Sequence, residues 1–202
     1  MTLMKTILTK SQLALIAVVA GIAFPGRADA ATEPTAFELV KEGNRYVGEQ
    51  SKDRIVEIRS EKSIGSLSPE IWYVVYYDPD APLKAVEVKF GAGKKMGVKR
   101  PARLTEPIGR AHEPLEKDKL KIDSDAATKI ASNEPLLAHL KLKATSLRLE
   151  RCSADDDTPV WRIRLWAAKL KNPNDNTEVG EVVMSAVDGK VLKSDLKPQR
   201  VD

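Results

Sequence analysis

The stretch PVWRIRLW at Pro159–Trp166 decides the fold, and VDGKVL follows it at Val187–Leu192. Within the first stretch, apolar residues alternate with Arg162 and Arg164. Strict alternation with a period of two predicts a strand that has one buried and one solvated face. The second stretch ends a strand in an Asp-Gly pair, which predicts a tight turn. Together the two stretches predict an antiparallel sheet with one packed face and one face in water.

Residues 1–30 have the pattern of a secretory signal peptide. Lys5 and Lys10 give a basic start, Leu13–Phe24 is uncharged and apolar, and small residues lead to a cleavage site expected after Ala30. As a helix the apolar run spans roughly 18 Å, which is short against a hydrocarbon core of about 30 Å. An uncleaved membrane anchor is the alternative. The sequence therefore predicts a secreted or periplasmic protein without stable membrane insertion after cleavage.

Charge and cysteine content limit the remaining functions. The chain of 202 residues has a formal net charge of +4, and removal of the signal peptide lowers this to about +2. Such a near-neutral protein has no nucleic-acid signature, so we expect no nucleic-acid partner. Cys152 is the single cysteine, so the exported chain must be stabilised by packing. We expect a buried or half-buried thiol; an intermolecular disulfide or a reactive thiol is the alternative.

The first unit predicted after the signal peptide covers residues 31–96. Thr35 and Glu38 have the spacing of a capping box at the start of a helix. Three runs with strand composition follow at 54–60, 70–77 and 84–90. A segment rich in proline and charge, 97–121, then predicts a linker or a long crossing loop.

The same order recurs in a second unit at 122–202. Ser124 is expected to cap an alanine-rich helix that Pro135 limits. Strands are predicted at 141–152, 159–167 and 179–187. The sequence thus predicts an α+β protein built from two tandem α-β-β-β units, each with a helix packed on an antiparallel sheet. One continuous α+β domain is the alternative.

The second unit resembles the PepSY domain family over Lys121–Leu196. Three features carry the resemblance, namely the helix Ala126–Ala131 followed by Pro135, the strand Pro159–Ile163, and the ending Val187–Leu192. The resemblance implies a PepSY/cystatin-like unit, in which a helix precedes three antiparallel strands and the last strand closes with an Asp-containing Gly-Lys turn. The first unit has Gly91–Lys94 in place of that turn, so it resembles at best a degenerate copy of the PepSY pattern.

The resemblance also implies a class of function. Members of that family are exported or linked to membranes, some lie in propeptides of secreted metallopeptidases, and the domain is thought to bind or restrain peptidases or other envelope partners. It brings no catalytic residues to this chain. The implied function is a non-enzymatic binding or regulatory module for an extracytoplasmic protein, such as a peptidase.

The residues themselves offer little for catalysis or metal binding. His112 and His139 stand far apart in different contexts, and Ser66 lacks the second glycine of a nucleophile elbow. The loops at 155–157 and 172–178 are rich in oxygen ligands but lack the glycine of an EF-hand loop. We therefore predict no catalytic residue, no metal site and no cofactor.

Two candidate interaction surfaces remain. Arg162, Arg164 and Trp166 lie on one face of a strand, and Trp and Arg are enriched at binding hot spots, so they are the candidate partner-binding residues. A Trp166 covered by the linker or by the other unit is the alternative. Trp72 and Trp161 are expected in the core.

The second surface is a basic cluster and the candidate anion-binding site, formed by Lys94, Lys95, Lys99, Arg100 and Arg103. It predicts, as an alternative function, adhesion to an anionic envelope component, although a solvated loop has the same composition. A small-ligand enzyme with its site in a cleft between the units is the third hypothesis, disfavoured by the lack of a titratable cluster.

Overall fold

A computed structural model describes residues 33–100, 113–153 and 155–202. Within these ranges the chain forms two α-helices and an eight-stranded antiparallel sheet. The elements are α1 Ala36–Gly43, β1 Ile55–Ser60, β2 Ile71–Tyr77, β3 Ala85–Gly91, β4 Lys94–Lys99, α2 Ser124–Ser132, β5 Leu142–Arg151, β6 Pro159–Ala168, β7 Asn176–Ser185 and β8 Val191–Leu196. The predicted α+β class is confirmed, with sheet predominating. The predictions for residues 1–30, Arg103 and His112 lie outside the described ranges.

The sheet runs in the order β4-β3-β2-β1-β5-β6-β7-β8. Each half is a meander in which consecutive strands are neighbours, and the first strands of the two halves meet in the middle. That central ladder is short, with β1 and β5 paired at Ile58–Leu149 and Arg59–Arg148. The sheet is therefore continuous across both halves of the chain.

The strand registers of the two halves correspond around this junction. Tyr73 in β2 and Arg162 in β6 each follow directly after a buried tryptophan. Tyr73 pairs with Arg59, and Arg162 pairs with Arg148. Corresponding arginines of the two halves thus lie directly opposite each other where the halves join.

Helix α1 begins with the predicted capping box. The Thr35 hydroxyl accepts the Glu38 N–H at 3.4 Å, and the Glu38 carboxylate accepts the Thr35 N–H at 2.9 Å. Reciprocal bonds of this kind satisfy N–H groups that a helix leaves unpaired.

The start of helix α2 differs from the prediction by one residue. Its cap is Asp123, whose carboxylate accepts the Ser124 N–H at 2.6 Å. Ser124 instead has its hydroxyl turned to α1, where it accepts the Ala36 N–H at 2.9 Å, and Asp123 accepts the Phe37 N–H at 3.1 Å. Two N–H groups that α1 leaves unpaired at its start are thereby satisfied by side chains at the start of α2.

The two helices cover one face of the sheet and enclose the core. Trp161 and Trp72 are buried there as predicted, and their indole N–H groups donate to the Ile122 carbonyl at 2.7 Å and the Pro69 carbonyl at 2.8 Å. These bonds let large aromatic surfaces be buried without leaving a polar atom unpaired. The tryptophans therefore anchor the two halves to one shared core.

The number of strands differs from the prediction of three per half. Each half has a fourth strand, β4 or β8, at an outer edge of the sheet. Most residues of both strands are exposed, so neither strand needs the apolar alternation on which strand prediction relies. Strand β4 lies in the turn-and-linker region of the predicted organisation and extends the first half to Lys99.

Candidate functional site

The sheet face opposite the helices carries the candidate partner-binding residues. Along β6, buried residues alternate with Arg162, Arg164 and Trp166, which are partly or well exposed. The structure therefore places these three side chains together on one face, as predicted. We call this surface the open face, because neither described helix lies on it.

A row of three arginines crosses the centre of the open face. Arg59 on β1 pairs with Arg148 on β5, and Arg148 pairs with Arg162 on β6. Like charges directly opposite each other destabilise a sheet, so this arginine row requires compensating groups nearby.

Carboxylates flank the arginine row on one side. Glu57 lies 3.4 Å from both Arg59 and Arg148. Glu150 lies 3.8 Å from Arg148 and accepts a hydrogen bond from the Arg162 Nε–H. Glu87 on β3 also contacts Arg59. Alternating carboxylates and guanidinium groups thus form a connected network across four strands.

The network is shielded enough from solvent to perturb the pKa of Glu57, whose side chain is 13% exposed. Burial raises the pKa of Glu57, while the positive charges of Arg59 and Arg148 act in the opposite direction. Charge interactions strengthen when water is excluded. The guanidinium groups would consequently attract an anion that displaces water here more strongly than they would on an ordinary exposed surface.

On the other side of the arginine row the surface forms a depression of about 220 Å³. Its lining includes the four arginines of the open face together with Ser60, Ser146, Leu147 and Glu181. The depression lies where the β1–β5 ladder is interrupted, since the Ser60 hydroxyl there accepts the Leu147 N–H in place of a backbone carbonyl. We call it the arginine depression.

Aromatic rings that contact lysine or arginine side chains lie on both sides of the arginine depression. The Lys62 ammonium lies 4.8 Å from the Trp166 ring centre. On the other side, the Arg59 guanidinium lies 4.7 Å from the Tyr73 ring and the Lys89 ammonium 4.9 Å from it. Cation–π contacts of this kind hold long basic side chains against aromatic faces. The open face therefore combines cationic and aromatic groups.

The basic cluster occupies the outermost strand at one edge of the sheet. Lys94, Lys95 and Lys99 are exposed on β4. Arg100 follows β4, and its Nε lies 3.2 Å from the Asp78 carboxylate. The predicted anion-binding residues within the described ranges are thus solvent-facing and partly paired, while Arg103 is not among them.

Potential reactive groups are isolated in the described part of the chain. His139 is exposed, and Ser66 hydrogen-bonds within its own loop. Cys152 is half-buried directly after β5, and burial together with the nearby Asp156 carboxylate raises the pKa of its thiol. The described ranges hold no cluster of three or more His, Cys, Asp or Glu residues suited to a metal ion.

A second cavity, of about 400 Å³, lies on the helix-bearing side and contains three carboxylates. Glu38 and Asp123 cap helices, and Asp53 accepts a hydrogen bond from the Lys117 ammonium at 2.8 Å. That hydrogen bond lowers the pKa of Asp53. Each carboxylate therefore has a structural partner in this cavity.

Sequence reasoning missed most of the open face. Glu57, Arg59, Arg148 and Glu150 are charged residues that alternate with apolar ones in β1 and β5, and this alternation was the available signal. Their convergence depends on the pairing of β1 with β5, for which the sequence has no local marker.

Comparisons with known proteins found no matching family model, no matching curated protein and no matching solved structure. The resemblance to the PepSY family therefore stays a prediction. No helix in the described ranges has the length and apolar character needed to cross a membrane.

Proposed function

We propose that this chain is an exported, non-enzymatic binding module that recognises an extracytoplasmic protein through the open face. The observation that carries the proposal is the position of Arg162, Arg164 and Trp166. They lie beside a cationic depression, on the sheet face that the described helices leave uncovered. Clusters of Trp and Arg are characteristic of protein-binding hot spots. Restraint of a peptidase is one form that this binding can take.

We further propose that the described fold consists of two tandem units, the second of them PepSY-like. The equal element order and the corresponding registers at Arg59 and Arg148 support a repeat. The turn after β7 contains Gly189 at a φ of 76°, which suits an Asp-Gly-Lys turn. In this proposal the first unit extends to Lys99, because β4 belongs to its sheet.

Export is tested by sequencing the N-terminus of the protein recovered outside the cytoplasm. We expect the mature chain to begin at Ala31. Recovery only with the cell membrane and with residue 1 still present would instead indicate an uncleaved anchor.

Partner binding is tested by affinity capture from an extracytoplasmic extract. The Arg164→Glu, Trp166→Ala double variant changes the open face, and the Leu192→Ala, Lys193→Glu double variant changes exposed residues of β8 as a matched control. We expect a discrete protein to be captured by the wild type and the control, and lost by the open-face variant. Equal capture by all three proteins would contradict the role of the open face.

Adhesion through the basic cluster is the alternative, favoured by three exposed lysines on an edge strand. Replacement of Lys94, Lys95 and Lys99 by glutamine would then abolish sedimentation with vesicles of anionic lipid. Because exposed charges are screened by salt, the wild-type sedimentation would also fall steeply as the salt concentration rises. Sedimentation that does not respond to either change would exclude this alternative.

A further inference from the structure

The arginine row destabilises the sheet that carries it, because it places like charges directly opposite each other. Arg59, Arg148 and Arg162 are cross-strand neighbours, and the carboxylates Glu57 and Glu150 contact them from one side. Apolar or oppositely charged residues at these positions would pair better within the sheet. The other side of the row borders the arginine depression, where Arg164 adds a fourth guanidinium group. The depression itself is lined by four arginines and a single carboxylate, Glu181, and this lining points to an external anionic group.

Glu181 marks where such a group would bind. Its carboxylate oxygens lie 3.6 Å from Arg162 and 3.6 Å from Arg164, which is longer than a hydrogen bond. Arg164 keeps 60% of its side chain exposed, and Glu181 is its ion-pair partner within the described ranges. The guanidinium group of Arg164 is therefore attracted by a carboxylate without being bonded to one, and it retains donors for another carboxylate.

A serine hydroxyl adds to the donors of the depression. Ser146 pairs with Arg164 across β5 and β6 and lines the depression. A carboxylate placed there would have guanidinium forks and a hydroxyl within one small, partly shielded space. This donor set suits a planar oxyanion, and the volume of about 220 Å³ suits one or two side chains rather than a large ligand.

We propose that the arginine depression receives glutamate or aspartate carboxylates from an extended acidic segment of the partner protein. This inference rests on the proposed function, because it supplies the chemistry by which the open face recognises that partner. A peptide is favoured over a free anion because the four arginines are balanced by Glu57, Glu87, Glu150 and Glu181. A formally neutral network attracts a free ion weakly, whereas a peptide held by Trp166 and Tyr73 presents its carboxylate at high effective concentration.

The test uses the purified full chain and a fluorescein-labelled peptide of eight alternating glutamate and serine residues, followed by fluorescence anisotropy. Arg164→Gln should weaken binding about tenfold, since it removes a charge-assisted donor. Glu181→Gln should strengthen binding roughly threefold or more, because it removes the competing carboxylate. Arg45→Gln is the matched control, since Arg45 is an exposed arginine beside Glu42 at the end of α1, and it should leave binding unchanged.

Opposite effects of Arg164→Gln and Glu181→Gln, with no binding of a glutamine–serine peptide, would support the proposal. The same affinity in all four proteins would overturn it, and so would inorganic phosphate that displaces the peptide at an equal concentration, since the site would then be one for free anions. Thermal unfolding of each variant checks that it is folded; both changes are at solvent-accessible side chains.

The inference and the proposed function fail in different ways. Capture of a partner that Trp166→Ala abolishes, but that neither Arg164→Gln nor Glu181→Gln alters, would overturn the acidic-segment inference and leave the proposed function in place. Peptide binding with the expected variant effects, together with no captured protein, would overturn the proposed function while supporting the chemistry of the arginine depression.

Discussion

Replacing Gly43 by alanine tests how helix α1 is packed on the sheet. A Cβ atom at this position would lie 2.1 Å from the Tyr76 hydroxyl oxygen, more than an ångström inside ordinary contact. Tyr76 is fully buried and donates its hydroxyl hydrogen to the Val40 carbonyl at 2.9 Å. The tyrosine must therefore move, and it loses this bond.

The magnitude follows from three contributions to the free energy of unfolding. Overpacking a core costs about 1–3 kcal/mol, and the lost hydrogen bond costs about 1 kcal/mol. Exchanging glycine for alanine in a helix returns at most about 1 kcal/mol, and less at its last residue. We expect Gly43→Ala to lower the free energy of unfolding by about 2 kcal/mol.

Urea unfolding, followed by tryptophan fluorescence, measures this change. Tyr76→Phe removes the clashing oxygen, and it leaves the Val40 carbonyl bonded to the Asn44 N–H at 3.0 Å. The free energy of unfolding should therefore fall less in the double variant than the two single variants predict by addition, and the difference should be at least about 1 kcal/mol. Gly97→Ala is the control, because no atom beyond the adjacent residues of the chain lies within 4 Å of its added Cβ. A neutral Gly43→Ala, or strict additivity in the double variant, would refute this account of the packing.

Three further changes test other parts of the fold. Trp161→Phe leaves the half-buried Ile122 carbonyl without its indole donor and removes part of a buried ring, so we expect the free energy of unfolding to fall by about 2 kcal/mol; an unchanged urea midpoint would contradict the assigned bond. Gly180→Ala places a Cβ 2.0 Å from the Asp195 backbone oxygen at a φ of 127°; we expect faster amide exchange in β8, and unaltered exchange would show that the strand adapts. The hydrogen bond from Lys117 lowers the pKa of Asp53, so the stability it contributes is present at neutral pH and lost as the pH falls below about 4. In Asp53→Asn the urea midpoint should fall less between pH 7 and pH 3 than it does in the wild type. An equal fall in both proteins would exclude this contribution.

Much of the central sheet could be predicted because its residues alternate between core and solvent. Strand β6 shows this directly, since Trp161 is buried while Arg164 is exposed. The capping box at Thr35 and the turn at Gly189 were also predictable, because both rest on bonds or dihedral angles within a few residues. Local physics was sufficient at these places.

The remainder depends on contacts between distant parts of the chain. Ser124 was expected to cap its own helix, yet its hydroxyl bonds the other helix, whose position no local pattern reveals. Strands β4 and β8 lack a buried face over most of their length, so they carry no periodic signal. The arginine depression likewise exists only because β1 lies beside β5.

The junction of β1 and β5 has a consequence for the order of folding. The hydrogen bond from the Leu147 N–H to the Ser60 hydroxyl joins residues that are distant in sequence, whereas the hairpins on either side close locally. Long loops close more slowly than short ones and at a greater entropic cost. In pulse-labelled hydrogen exchange during refolding, the Leu147 amide should be protected later than the Gly189 amide, which bonds within its own turn; simultaneous protection would argue against this order. The arginine depression would thus be the last surface to form, and incompletely folded chains would lack it.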